Sequence, residues 1–207
     1  MATSFILTTD FIGEINISQN QYTTSDLQSI IESTERLVLS DLLGEDLYAK
    51  LIADLDVNYV PQTVKYLTLV NGGSYTATNG EGTTVTVTYR GIKQMLKYFT
   101  YYYYVKNQMN QNTIAGTVIN SQENAIQLNK AALNDIVNAM YNKGVDLYGK
   151  KLYASENPSI SVKIIDDTYI DETVKGNCYN FLIEYKDADY PTWMFTEKKK
   201  IHFNGSF

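Results

Sequence analysis

The sequence predicts an α+β fold, mainly α, in which about four helices build the core. A β-hairpin is inserted at about 74–89, and a small antiparallel sheet is expected at about 159–186. Three patterns carry that expectation. Apolar residues recur with helical period over 25–42, 45–55, 92–103 and 121–154. They alternate with threonines on either side of the Gly-containing stretch 79–82, and they alternate again beyond Pro158. The chain therefore divides into an extended N-terminal arm (1–24), a helical core carrying the hairpin (25–157), and a strand-rich C-terminal segment with a tail (158–207).

Residues 1–20 show no helical period and read as the arm. Ser25 is the natural N-cap of the first helix, Asp26 suits the positive first turn, and Leu27, Ile30, Ile31, Thr34, Leu37 and Val38 form one stripe. Gly44 breaks that helix. A second, from Glu45 to Leu55, turns Leu47, Tyr48, Leu51 and Ile52 inward, and so short a connection predicts a helical hairpin. Pro61 opens a short helical segment through Leu69, which Asn71-Gly72-Gly73 ends. In the β-hairpin, Tyr75, Ala77, Val85, Val87 and Tyr89 share one face and threonines the other. No Gly-Lys-Ser/Thr follows its turn, so the glycines are turn residues and not a phosphate loop.

Helical period returns at Gly91, with Ile92, Met95, Leu96, Phe99, Tyr102 and Tyr103 in phase. The run Tyr101-Tyr102-Tyr103-Tyr104 advances by about 100° per residue and reaches around most of the helix. Either this helix is covered on several sides by its own chain, or at least one of these tyrosines faces a partner. Residues 112–118 read as a connecting loop, Ser121 to Ala154 as the longest helix, and Trp193, Phe195, Phe203 and Phe207 as docking aromatics in an irregular tail.

Composition removes most catalytic and metal chemistry from consideration. One cysteine, Cys178, and one histidine, His202, cannot make an internal disulfide or a Cys/His zinc site, and a single histidine leaves very little room for triad chemistry. Asp166, Asp167, Asp171 and Glu172 fit no EF-hand spacing and read as a solvated acidic turn. No particular carboxylate pair stands out among the 23 acids. The expectation is a protein that is not an enzyme, with no catalytic, metal or cofactor site. Residues 1–10 lack a basic n-region and a long apolar run, and no stretch approaches the roughly 20 apolar residues of a membrane span. A soluble protein made in a reducing cytoplasm is expected. Net charge is −6, and Lys198, Lys199 and Lys200, with the lesser pair Lys150 and Lys151, form too small a basic set for sequence-specific DNA binding. Only 19% of residues are charged while 18 are tyrosine, a balance that suits surfaces covered by partners.

The segment order adds a resemblance. Phe5-Ile6-Leu7-Thr8 through Phe11-Ile12-Gly13-Glu14, then the helix ending Leu42-Leu43-Gly44-Glu45-Asp46-Leu47-Tyr48, resembles the head-tail connector or adaptor proteins of tailed bacteriophages, most of all those of crAss-like phages. Arg90-Gly91-Ile92-Lys93 through Tyr98-Phe99-Thr100-Tyr101-Tyr102 is similar to that family's central helix, and Gly116-Thr117-Val118 to the loop before its long helix. The likeness covers residues from about 5 to 155 and rests on element order and short apolar patterns.

The resemblance implies a structural virion protein of the neck, made in the host bacterial cytoplasm. It would form a ring of about twelve copies that binds the portal and other neck or tail rings and lines the channel through which double-stranded DNA passes. Tyr101, Tyr102, Tyr103, Tyr104, Trp193, Phe195 and Phe207 are then the candidate subunit-interface residues, and the negative charge of each copy would keep DNA from adhering to the wall. No membrane partner is implied. The alternative is a Tyr-rich protein- or glycan-binding module.

Overall fold

The first amphipathic stripe folds as helix α1 (Thr24–Leu43). The structure is a computed structural model that describes residues 4–17, 24–78, 84–109, 111–113, 116–118, 130–149 and 176–201. Leu27, Ile31, Val38, Leu39, Leu42 and Leu43 are buried along α1, and the gap in their spacing is filled by two buried polar residues, Thr34 and Glu35. Gly44 ends the helix at φ +74°, a conformation that spares the next residue any linker, and α2 (Glu45–Ala53) begins at once. Leu47 and Leu51 face α1, giving the helical hairpin that the short connection predicts. Helix α3 (Val64–Asn71) starts later than Pro61, because Pro61 is engaged in a bridge to Leu55.

Strands β1 (Gly73–Thr78) and β2 (Thr84–Tyr89) pair antiparallel with Tyr75 opposite Val87 and Gly73 opposite Tyr89. Tyr75 and Tyr89 are buried, while Ser74, Thr76, Thr86 and Thr88 are exposed, so one face is apolar and the other carries hydroxyls. The hairpin leaves and re-enters the helical layer at Gly72 (φ +87°) and Gly91 (φ +78°). The two backbones lie so close that a Cβ on Gly72 would sit 2.5 Å from the Tyr89 carbonyl oxygen and 2.8 Å from the Gly91 nitrogen.

Helix α4 (Ile92–Met109) is central, packed by α1, α3, the 3-10 turn Gly13–Ile15 and α5 (Lys130–Tyr148). Gly144 of α5 lets the Phe99 ring come close, 3.2 Å from where a Cβ would stand, and Tyr141 and Tyr148 flank that ring at centroid distances of 5.2 and 6.2 Å. The described part of the N-terminal arm is neither free nor fully extended. It makes two 3-10 turns, Thr8–Asp10 and Gly13–Ile15, and buries Phe5, Ile6, Phe11, Ile15 and Ile17 on its own chain.

The C-terminal sheet expected at 159–186 is corrected where it can be seen. Residues 159–175 lie outside the described residues, but Cys178–Glu184 is a helix, α6, and not a strand. Asn177 caps it by accepting the Asn180 N–H at 2.8 Å, and Cys178, Phe181 and Leu182 are buried at i, i+3 and i+4. The 112–118 loop contains a short antiparallel pair, β3 (Gln111–Thr113) with β4 (Gly116–Val118). Of the helix expected at 121–154, Lys130–Tyr148 is helical, Gly149 leaves it at φ +124°, and the flanking 121–129 and 150–154 fall outside the described residues. Among the described residues the fold is thus mainly helical with two small two-stranded antiparallel sheets. No helix among the described residues is long and apolar enough to cross a membrane.

Candidate interaction surface

Helix α4 is covered on several sides, and the tyrosine run is shared out among its neighbours. Tyr104 is buried, and Tyr101, Tyr102 and Tyr103 are half-buried. The Tyr102 ring meets Tyr141 at 4.7 Å and Tyr103 at 5.2 Å, with the Lys106 ammonium 5.7 Å from its centroid. Burial pushes the Tyr103 hydroxyl up to about 12, with the neighbouring Tyr141 and Tyr102 adding to it, so it stays a neutral donor.

The tail aromatics dock inside the chain as well. Trp193 is buried, packs on Tyr179 at 5.5 Å, and donates its indole N–H to the Leu42 carbonyl at 2.7 Å. Phe195 is half-buried between Tyr179 (4.7 Å) and Tyr148 (5.2 Å). Of the subunit-interface candidates, Trp193 and Tyr104 are buried on their own chain, and Tyr101, Tyr102, Tyr103 and Phe195 keep part of their surface exposed. Phe203 and Phe207, His202, the lysine pair Lys150 and Lys151, and the acidic turn Asp166, Asp167, Asp171 and Glu172 lie outside the described residues.

The docked tail has a definite task. An α-helix leaves its last four carbonyls without intrahelical donors. At the end of α1 the Ser40 carbonyl accepts from Gly44 N, Asp41 from Thr196 N, Leu42 from Trp193 Nε1 and Leu43 from Met194 N. The lysine run is part of this strap. Lys198 pairs with Asp41 at 2.6 Å, Lys200 pairs with Asp146 at 2.7 Å, and Asn142 clamps the Ile201 backbone through both its N–H and its carbonyl.

Chemistry-bearing groups are sparse. Cys178 is buried beside the Tyr89 hydroxyl (3.4 Å) and the Met95 sulfur (3.9 Å), and burial pushes its thiol up to about 12, which makes it a packing residue and a poor nucleophile. No group of three His, Cys, Asp or Glu among the described residues could hold a metal ion.

What the surface does offer is a rigid apolar turn that periodicity does not reveal. Between α2 and α3, Asp54 accepts the N–H groups of Gln62 and Thr63, each at 2.9 Å, and the Thr63 hydroxyl. Asp56 accepts from Asn58 N at 2.8 Å and Val60 N at 2.9 Å. Tyr59 is held at φ +63° with its ring 4.8 Å from Phe5, a left-handed conformation a tyrosine adopts only when its surroundings impose it. From this frame and the start of α3, Val57 (73% exposed), Val60 (43%), Val64 (75%) and Leu67 (38%) face solvent. Val64 and Leu67 stand one turn apart on the same helix face. So dense a run of exposed large aliphatics on a locked backbone has the character of a contact surface.

A family described as being of unknown function (DUF6712) matches residues 39–151, more than half of the chain. No curated protein matches. No solved structure matches.

Proposed function

We propose that this chain, which belongs to the DUF6712 family, is a structural virion protein, a head-tail connector or adaptor subunit that assembles into a ring, binds the portal and joins capsid to tail. The observation that carries the reading is the rigid turn displaying Val57, Val60, Val64 and Leu67. A ring subunit needs a preorganised lateral face that another copy of the same chain can cover, and a locked backbone bearing apolar side chains lowers the entropy cost of that contact. The resemblance of the segment order to phage connectors supports the same reading. In this role the net charge of −6 lets DNA slide past the channel wall without adhering.

The test is native mass spectrometry of the protein alone and with the portal protein encoded nearest to it. A ring, formed alone or on the portal, is expected. Val57→Asp combined with Val64→Asp should abolish it while changing monomer stability by less than about 0.5 kcal/mol, since both side chains are exposed. A stable monomer that never associates with the portal overturns the proposal. If that monomer binds an oligosaccharide or peptide at Tyr101, Tyr102 and Tyr103, the chain is a binding module instead.

A further inference from the structure

Glu35 is built deeply into the arm contact, and its position on α1 is unexpected for an acid. It occupies the buried stripe between Ile31 and Val38 and is only 3% exposed. Its carboxyl faces the N-terminal arm and accepts the Ile6 N–H at 3.1 Å, with the Phe5 N–H as a second donor. The arm is shaped to deliver those donors: Ser4 Oγ donates to the Ile6 carbonyl at 2.7 Å, and Gln28 of α1 donates to Ser4 Oγ at 3.2 Å. Around this joint Phe5 and Ile6 are buried, and Phe5 supports the Tyr59 turn.

We propose that the N-terminal arm is a pH-gated clasp with Glu35 as its latch: the neutral carboxyl holds the arm on α1, and ionisation of Glu35 favours release of the arm. Neutral Glu35 accepts the two arm N–H groups without a charge in an apolar seam. Ionised Glu35 keeps those acceptors but must be buried as an anion. The charged and titratable groups around it do not rescue the anion. Glu32, on the same helix, repels it; Lys93 of α4 attracts it from a distance, with no ion pair formed among the described residues; and Tyr48 and Tyr59, from α2 and the turn, are themselves held neutral by burial. Burial outweighs the backbone donors and lifts the carboxyl from 4.5 to about 8.

The sign of the effect is set by proton binding. Between pH 4.5 and about 8 the docked state holds a proton that the released state, with Glu35 in water, gives up. Docking is therefore strongest below pH 4.5, weakens by roughly tenfold per pH unit above it, and levels off above about 8. Release would uncover Phe5 and Ile6, while Glu14, paired with Lys143 and accepting from Tyr98, anchors the arm further along, so the latch controls when the first two apolar side chains are presented. The clasp is a property of a single chain and does not depend on ring formation.

Hydrogen exchange of peptides from residues 4–17, read by mass spectrometry from pH 5 to pH 9 and corrected for intrinsic exchange, tests this directly. The opening constant of the arm should rise about tenfold per unit up to about pH 8 and then flatten. In Glu35→Gln the slope should vanish. An arm whose corrected protection does not change with pH overturns the proposal, as does an unchanged slope in Glu35→Gln. If that variant does not fold, the carboxyl carbon of Glu35 is titrated by NMR in the unaltered protein. A midpoint near the usual carboxylate value, or arm resonances that do not titrate with Glu35, overturns the proposal equally.

Discussion

The indole nitrogen of Trp193 donates to the carbonyl oxygen of Leu42 at 2.7 Å, across 151 residues of sequence. This bond belongs to the strap that completes the open end of α1, and the carbonyl has no water to turn to because Leu42 is fully buried. Trp193→Phe removes the donor together with part of the bicyclic ring that packs on Tyr179 and Phe195. It should cost roughly 1–3 kcal/mol of unfolding free energy by leaving a buried acceptor unpaired. Urea melts of the two proteins measure it; a loss below about 0.5 kcal/mol would mean that the strap does not cap the helix.

The two glycines at the root of the hairpin should be far less replaceable than a third with the same backbone sign. Gly13 has φ +67° but open space around its missing Cβ, so Gly13→Ala pays only the backbone strain, about 1 kcal/mol. Gly72→Ala adds overlap with the Tyr89 carbonyl, and Gly91→Ala adds overlap with the Val70 carbonyl. Both should lower the melting temperature well beyond Gly13→Ala in parallel thermal scans. Equal effects in all three would mean that the close crossing of the two backbones is unimportant.

At high pH the buried hydroxyls and the thiol should govern stability. Burial, in each case the largest cause, raises the ionisation of Tyr89, Tyr148 and Tyr190 above its usual value of 10.0 and that of Cys178 from 9.0 to about 12. Below about pH 8 these groups are neutral whether the chain is folded or not. Above it the unfolded chain loses protons that the folded one keeps, so stability falls with rising pH by roughly 1.4 kcal/mol per group per unit. Urea melts at pH 8 and pH 10.5 should show the fall. Thiol labelling should remain negligible at both values until the protein unfolds, and rapid labelling of the native state at pH 8 would contradict this account.

How much of this was legible in the sequence depends on how regular each segment is. The pattern Leu27, Ile31, Val38 has one physical solution, and so does the alternation of Tyr75, Val87 and Tyr89 with threonines; α1 and the hairpin follow from them. The segment at 178–185 has two. Tyr179, Phe181, Ile183 and Tyr185 suit a strand, while Cys178, Phe181, Leu182 and Tyr185 suit a helix, and the cap at Asn177 and the fit of Phe181 on Tyr89 (stacked at 4.3 Å) accompany the helix. The turn at 54–63 has no period at all, because aspartate side chains rather than a repeating backbone pattern hold it. That is why its exposed valines escape a search for stripes, whereas the tyrosine run attracts notice and proves largely to serve the core.

The contact between Gly72 and Gly91 has a consequence for how this architecture tolerates change in length. The chain departs from and returns to one point, so the separation of α3 and α4 does not depend on how many residues lie between. Tyr75, Val87 and Tyr89 bind the base of the hairpin to the body, and Thr76 and Thr86 are exposed. A family built on this frame can lengthen, shorten or replace the outer part of the hairpin while the helices stay in register. That makes the hairpin tip a natural place for relatives to diverge and for a tag or reporter to be inserted without disturbing the rest.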